Sequence, residues 1–476
     1  MADINLGVGG ANSASSSYEI DNSVKTEAAN NEWFYRSSPT ASSTQTKFTF
    51  SFWHKRTQIT GYPADPYLMS QGSNARFHIT GNTNPTLRFM FDGNSTELES
   101  SPRIRDTAAW YHIVLAVDTT QATASNRVKL YLNGEQISWD NSGYPSQNAT
   151  STWMSTTNMY FNTYNGDGAY DASGYYAEIC VIDGQQLAPT DFGEFDSVSA
   201  IWKPIDVSGL TFGNEGFYLD FEDSSDLGAD VSGNNNDCTL NNISAADQAT
   251  DSPTNNFCIL NDNHRGNYYK GPTEGGTYMP MNGVNQDAAY AGTIGVTQGK
   301  WYYETYIDMR SSTYGLTIYV GYHTFQDKYQ DNAYWSNTDQ ESFVGYNMHG
   351  GNYYSWDSGS RVIDSNPAGL GTSQVGQFVG VALNLDDNQI SFYVNGSAIS
   401  NATNLPLNDL GDETDNGIFA LPAISVYDNN HTVNFGGYTK ATISSPQSDA
   451  NGYGTFEHEP PSGYYALCSK NLAEFG

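Results

Sequence analysis

Two stretches of this chain, far apart in sequence, carry an alternating apolar strand into Asn-Gly, and no other feature constrains the fold as strongly. Val128-Lys-Leu-Tyr-Leu132 runs into Asn133-Gly134, and Gln389-Ile-Ser-Phe-Tyr-Val394 runs into Asn395-Gly396. Both residues of such a pair tolerate φ > 0, so the pair closes a tight type I′ hairpin. Each is preceded by a further strand signal, Trp110-Tyr-His-Ile-Val-Leu-Ala-Val117 in one case and Phe378-Val-Gly-Val-Ala-Leu-Asn-Leu385 in the other. Phe48-Thr-Phe-Ser-Phe52 alternates with a period of two, as a half-buried strand does, and in Gln389–Val394 the same period sets Phe392 opposite Ser391 and Tyr393.

The material for such strands is present. Only 38% of the 476 residues are hydrophobic, but 34 Tyr, 22 Phe and 9 Trp provide large apolar area per residue, and 46 Gly suit frequent turns. An all-β chain follows, and its length exceeds what one hydrophobic core usually supports. The two Asn-Gly hairpins therefore mark two β-sandwich (jelly-roll) domains in tandem. The expected organisation is an N-terminal arm over 1–17, a first sandwich over 18–205 and an Asn, Asp and Gly-rich connector over 206–264. A second sandwich over 265–440 and a C-terminal docking segment over 441–476 follow. In the arm, Ile4, Leu6 and Val8 alternate with polar or small residues, the pattern of a strand that pairs with a neighbouring edge.

Charge excludes classes of partner. With 20 Lys+Arg against 52 Asp+Glu the net charge is −32, which opposes approach to phosphate backbones and anionic membranes. Neither nucleic acid nor membrane insertion is expected, the second because no apolar run reaches the roughly 18 residues of a span. The N-terminus Met1-Ala-Asp-Ile-Asn5 lacks the basic and apolar regions of an export signal. The cysteines, Cys180, Cys238, Cys258 and Cys468, have no metal-ligand spacing, as expected of a reduced protein assembled in a cytoplasm.

Resemblance adds to this reading. Phe48-Thr-Phe-Ser-Phe-Trp53, Trp110-Tyr-His-Ile-Val114, Val128 to Glu135, Tyr176-Ala-Glu-Ile-Cys-Val-Ile182 and Gln186-Leu-Ala-Pro-Thr190 resemble, in order and spacing, the laminin-G-like, concanavalin-type jelly rolls. That family carries sugar binding, protein binding and structural roles. Lys300-Trp-Tyr-Tyr-Glu-Thr305, Val379 to Asp386, Ile390 to Gly396, Leu421-Pro-Ala-Ile-Ser-Val426 and Val433-Asn-Phe-Gly436 resemble a SPRY domain. The resemblance implies a recognition module without catalytic residues. Gly216-Phe-Tyr-Leu-Asp-Phe221, Leu227 to Asn234, Asp251-Ser-Pro-Thr-Asn-Asn-Phe257 and Pro460-Pro-Ser-Gly-Tyr-Tyr-Ala-Leu-Cys468 look like segments found beside such modules in structural proteins of marine tailed phages.

Candidate sites follow from residue types. Tyr334-Trp335 and Tyr353, Tyr354 and Trp356 lie among Asn, Gly and Asp in expected loops of the second sandwich. Aromatic faces beside amides suit both sugar stacking and protein contacts. Asp223, Asp226, Asp230, Asn234 and Asp237 are dense enough in oxygen ligands to hold calcium, the one cofactor for which the sequence offers a candidate site. The simpler reading of that run is a chain of Asx turns. Glu-x-Asp-x-x-Glu, the paired-carboxylate signature sought for a glycosidase, is absent, since Glu19-Ile-Asp21 is followed by Val24 where the second Glu would fall.

These features together lead to the expectation of a non-enzymatic phage virion structural protein, in a tail, fibre or head appendage. Such a protein would assemble in the host cytoplasm with other virion proteins and copies of itself, and would contact a host surface glycan or protein. The alternatives are a host-encoded carbohydrate-binding adhesion protein and, further off, a polysaccharide-degrading glycosidase.

Overall fold

The computed structural model describes residues 18–476 except 38, 41, 43, 60–64, 82–84, 266–270, 281–286, 311–317, 325–342, 349–351, 358–359, 366–374, 408–419 and 428. The arm over 1–17 lies outside the described residues. The chain divides between Asn255 and Asn256 into two compact units. Both are β-sandwiches, and among the described residues the one α-helix is Ser469–Phe475.

In the first unit one sheet runs Glu135–Gln136, Val128–Leu132, Trp110–Asp118, Lys47–Arg56, Gly174–Asp183, Ser23–Thr26 and Gln248–Ala249, with Phe217–Leu219 also on Gly174–Asp183. The facing sheet runs Trp139–Ser142, Glu97–Arg103, Thr86–Met90, Ala75–Ile79, Tyr67–Gln71, Met159–Phe161, Trp33–Arg36 and Cys238–Asn241. Alternation sets Phe48, Phe50 and Phe52 into the core with Phe34, Phe77, Phe89, Trp153 and Phe161. Ser51 and Trp53 face outward, where the chain from Leu187 to Phe212 covers them and forms a smaller core of Val114, Cys180, Ile182, Phe192, Val207 and Phe212.

Residues 206–255, read from composition as connector, belong to this sandwich. Leu219 pairs with Ile179, Leu240 with Phe34, and Ala249 with Ser23. The segment is anchored electrostatically as well. The buried Asp251 carboxylate accepts from Lys55 Nζ at 2.6 Å and from Trp110 Nε1 at 2.9 Å. Short strands joined by Asx turns have the same composition as a linker, which is why the sequence reads as one.

In the second unit one sheet runs Leu260–Arg265, Asp287–Gly292, Ala420–Tyr427, Ile318–Thr324, Phe343–Asn347, Asn352–Asp357 and Ser360–Ser365. The other runs Tyr278–Met279, Asn429–Asn434, Lys300–Arg310, Phe378–Asn384, Gln389–Val394 and Ser397–Ala398. Trp301, Tyr303, Ile307, Val381, Phe392 and Val433 fill the space between them. The C-terminal segment crosses the outer face of the second sheet. Tyr465–Ala466 pairs in parallel with Trp301 and Tyr302, and Phe456, Ala466 and Cys468 pack on Tyr302 and Ala382.

Both Asn-Gly pairs form the hairpins expected. Their φ values are 49° and 84° at Asn133-Gly134 and 46° and 76° at Asn395-Gly396, all in the left-handed region that a type I′ turn requires.

Candidate functional site: the open aromatic face of the first sandwich

The sheet containing Trp33–Arg36 has one face in the core and one toward solvent, as antiparallel sheets commonly do. On the inner side Phe34 stacks on Phe161 with centroids 5.1 Å apart. On the outer side the intervening residues are aromatic too. Tyr35 lies opposite Tyr160 in register and stacks on it at 5.3 Å, while Trp33 packs against both, at 5.5 Å from Tyr35 and 5.7 Å from Tyr160. All three rings are half-buried. Register extends the row across the sheet as Thr239, Tyr35, Tyr160, Ser70 and Arg76.

The loop after Phe161 folds back onto this face. Ser70 Oγ accepts from Asn165 N and donates to Thr163 O, and Gly166 lies where an added Cβ would be 3.1 Å from both Trp33 and Tyr160. On its far side Tyr67, Tyr164 and Tyr170 form a second aromatic group, with the Arg76 guanidinium 5.0 Å above the Tyr164 ring. The face thus offers rings already packed against one another, bordered by amide, hydroxyl and guanidinium groups. Each aromatic pair contributes about 0.5–1.5 kcal/mol beyond its buried area, so the platform is ordered before any ligand arrives.

The opposite sheet bears a constellation that invites a catalytic reading. Ser51 Oγ lies 2.9 Å from His112 Nε2. The other ring nitrogen, Nδ1, receives the indole N–H of Trp202 at 2.9 Å. Trp is a donor only, so Nδ1 carries the lone pair and Nε2 carries the proton. Activation of a serine needs the opposite tautomer, with Nε2 free to accept the hydroxyl proton. Burial also pushes His112 down to about 3, holding it neutral. The adjoining cavity, lined by Ser51, His112 and Glu178, measures about 10 Å³, about the space one water occupies. This group is a buried packing network.

The sequence-derived candidates fall elsewhere. Tyr334 and Trp335 lie outside the described residues. Tyr353, Tyr354 and Trp356 lie on the strand Asn352–Asp357 and not in a loop, and Tyr353 is fully buried, with its hydroxyl donating to Pro406 O. Its place in an alternating strand directs it inward, so it is core.

The proposed calcium ligands are engaged with backbone. Asp223 Oδ1 accepts from Ser225 N, Asp226 Oδ1 from Gly228 N, and Asp237 Oδ1 from Asp230 N. Asp230 accepts from Tyr218, Ser232 and Asn236 amides, and Asn234 Nδ2 donates to Gly213 O and Gly216 O. Among the described residues no group of three or more His, Cys, Asp or Glu is arranged to hold a metal ion. Asp223, Asp226 and Asp230 each make an Asx turn with the amide two residues on, while Asp237 and Asn234 bond to more distant backbone.

Two family models match separate stretches of the chain. Residues 34–179 match the family model described as the concanavalin A-like lectin/glucanases superfamily, and residues 300–437 match the SPRY domain model. No curated protein sequence matches. Among solved structures, the SPRY domain of human HERC1 is similar at 17% identity, covering 34% of this chain and 89% of that one with a TM-score of 0.24. A protein of Bacteroides ovatus ATCC 8483 assigned a carbohydrate-binding role aligns at 13% identity, over 48% of this chain and 60% of that one, with a TM-score of 0.33. The native heptameric SAP-like pentraxin of Limulus polyphemus aligns at 14% identity, over 36% and 80%, with a TM-score of 0.27. The chain carries a concanavalin-like domain of the laminin-G type and, after it, a SPRY domain.

Proposed function

We propose that the chain is a non-enzymatic structural protein of a phage virion, part of a tail, fibre or head appendage, that recognises a host-surface ligand on the open aromatic face of its first sandwich. The observation that carries the recognition role is the pre-packed trio Trp33, Tyr35 and Tyr160 on a solvent-facing sheet. Rigid aromatic side chains supply contact area at low entropic cost, and their faces suit sugar rings and protein anchors alike. A non-catalytic role is supported by the His112 tautomer, which leaves Ser51 unactivated.

The virion assignment draws on the resemblance of 216–257 and 460–468 to segments of marine phage structural proteins. In this reading the protein assembles with other virion components and with copies of itself in the host cytoplasm. Mass spectrometry of purified particles of the phage whose genome encodes the chain tests it. Peptides from both units are expected at structural-protein abundance. Their absence from particles would exclude the virion role and favour a host-encoded adhesion protein.

A further inference from the structure

The second unit carries a separate hollow, lined jointly by strands within the residues matched by the SPRY model and by the segment that follows them. On Lys300–Arg310 alternation sends Trp301, Tyr303 and Ile307 into the core and leaves Tyr302, Glu304, Tyr306 and Asp308 on the other face. Glu304 is fully buried there. Its carboxylate accepts from Glu457 N at 2.8 Å, His458 N at 3.0 Å, His458 Nδ1 at 3.2 Å and the Tyr302 hydroxyl at 3.2 Å. Four donors on one carboxylate fasten the C-terminal segment across the strand. Beyond this clamp the face is open, and two hollows of about 600 and 560 Å³ share Asn395, Glu457 and His458, so they form one groove. Each lies within the size of small-ligand sites.

The groove has an aromatic wall and fixed polar groups. Tyr306 lies opposite Phe378 in register, with ring centroids 4.7 Å apart, and Phe378 meets the His458 ring edge-on at 5.5 Å. With Nδ1 on Glu304, His458 keeps Nε2 for the groove. Most charges in the groove are already paired. Glu457 accepts from the Ser444 hydroxyl and amide, Asp308 accepts from Thr432 at 2.6 Å, and Lys440 Nζ lies 3.5 Å over the Tyr278 ring. What remains is the half-buried Tyr306 ring, carboxylate lone pairs held in place, and the Asn395 amide. The groove carries both signs, Lys440 and His458 beside Asp308, Glu457 and the exposed Glu459, so neither an anion nor a cation meets a uniformly opposite charge.

We propose that this groove binds a neutral oligosaccharide, with a sugar ring against Tyr306, which the buried Phe378 backs, and hydroxyls donating to Asp308 and Glu457. The site is independent of the aromatic face on the first sandwich. The test is the full chain on an array of neutral glycans built from hexose and N-acetylhexosamine units, with Tyr306→Ala, the near-isosteric Asp308→Asn, and Tyr35→Ala on the other unit. At least one glycan should bind, about tenfold more weakly to both groove variants, with Tyr35→Ala reporting separately on the first sandwich. Failure of every neutral glycan to bind overturns the proposal, and so does binding that both groove variants retain. Loss only in Tyr35→Ala would leave the first-sandwich reading standing and remove this one. Capture of a Lys/Arg-rich peptide, lost in Asp308→Asn, with no glycan bound, would assign the groove to cationic peptides instead.

Discussion

The Asn-Gly turns of the two sandwiches are built alike and covered differently. In the first, Asn133 Oδ1 accepts from His112 N and Asn133 N donates to His112 O; in the second, Asn395 Oδ1 accepts from Phe378 N and Asn395 N donates to Phe378 O. In each, a ring from a later segment rests on the turn glycine. Trp202 lies so close to Gly134 that a Cβ there would be 2.2 Å from it, whereas at Gly396 the nearest His458 atom would be 3.1 Å away. Trp202 reaches on to His112 and closes the face, leaving about 10 Å³. His458 is drawn down to Glu304 and leaves a groove. The covering ring and its hydrogen-bond partner, more than the sheet beneath, decide whether the outer face is closed into core or left as a groove.

The largest expected effect is on the closed side. Trp202→Phe keeps most of the ring and removes the N–H, leaving buried His112 Nδ1 without its donor, at a cost of ~1–3 kcal/mol. Hydrogen exchange should show lost protection in Lys47–Arg56 and Trp110–Asp118 and none in the second unit. Equal loss in both units would break the comparison.

A smaller effect, opposite in its pH dependence, is expected on the open side. The two histidines differ in sign. Burial lowers His112, so its contribution is complete above pH 6.5 and is lost as pH falls toward about 3. The Glu304 hydrogen bond raises His458, so its contribution is complete below pH 6.5 and is lost as pH rises through the raised value. His458→Gln should therefore loosen residues 455–458 at acidic pH and become indistinguishable from wild type in mild alkali, again by hydrogen exchange. A difference that grew with pH would show that Glu304 does not hold an imidazolium.

Legibility in the sequence followed the range of the interactions. The hairpins at Asn133-Gly134 and Asn395-Gly396 were readable because a type I′ turn is fixed by two adjacent residues, and Phe392 lies in the core as its alternation requires. The place of 206–255 was not, because Phe217–Leu219 and Cys238–Asn241 are too short to show a period, and their partners lie up to about 200 residues away. The aromatic face was hidden for a different reason. Trp33-Phe34-Tyr35 is aromatic on both sides of the strand, so alternation cannot tell inside from outside, and only pairing with Met159–Phe161 gathers the platform. Tyr353 misled because aromatic residues among Asn and Gly look like loop residues, while its strand turns it inward.

The recognition face can be tested directly by competition for adsorption. If the proposed virion role holds, the purified 476-residue chain should block attachment of the phage that encodes it, and a Tyr35→Ala/Tyr160→Ala variant, which retains Phe34 and Phe161 in the core, should lose that block at least about tenfold. Blocking by the double variant as strong as by wild type, or no blocking by wild type at any concentration, would contradict the account.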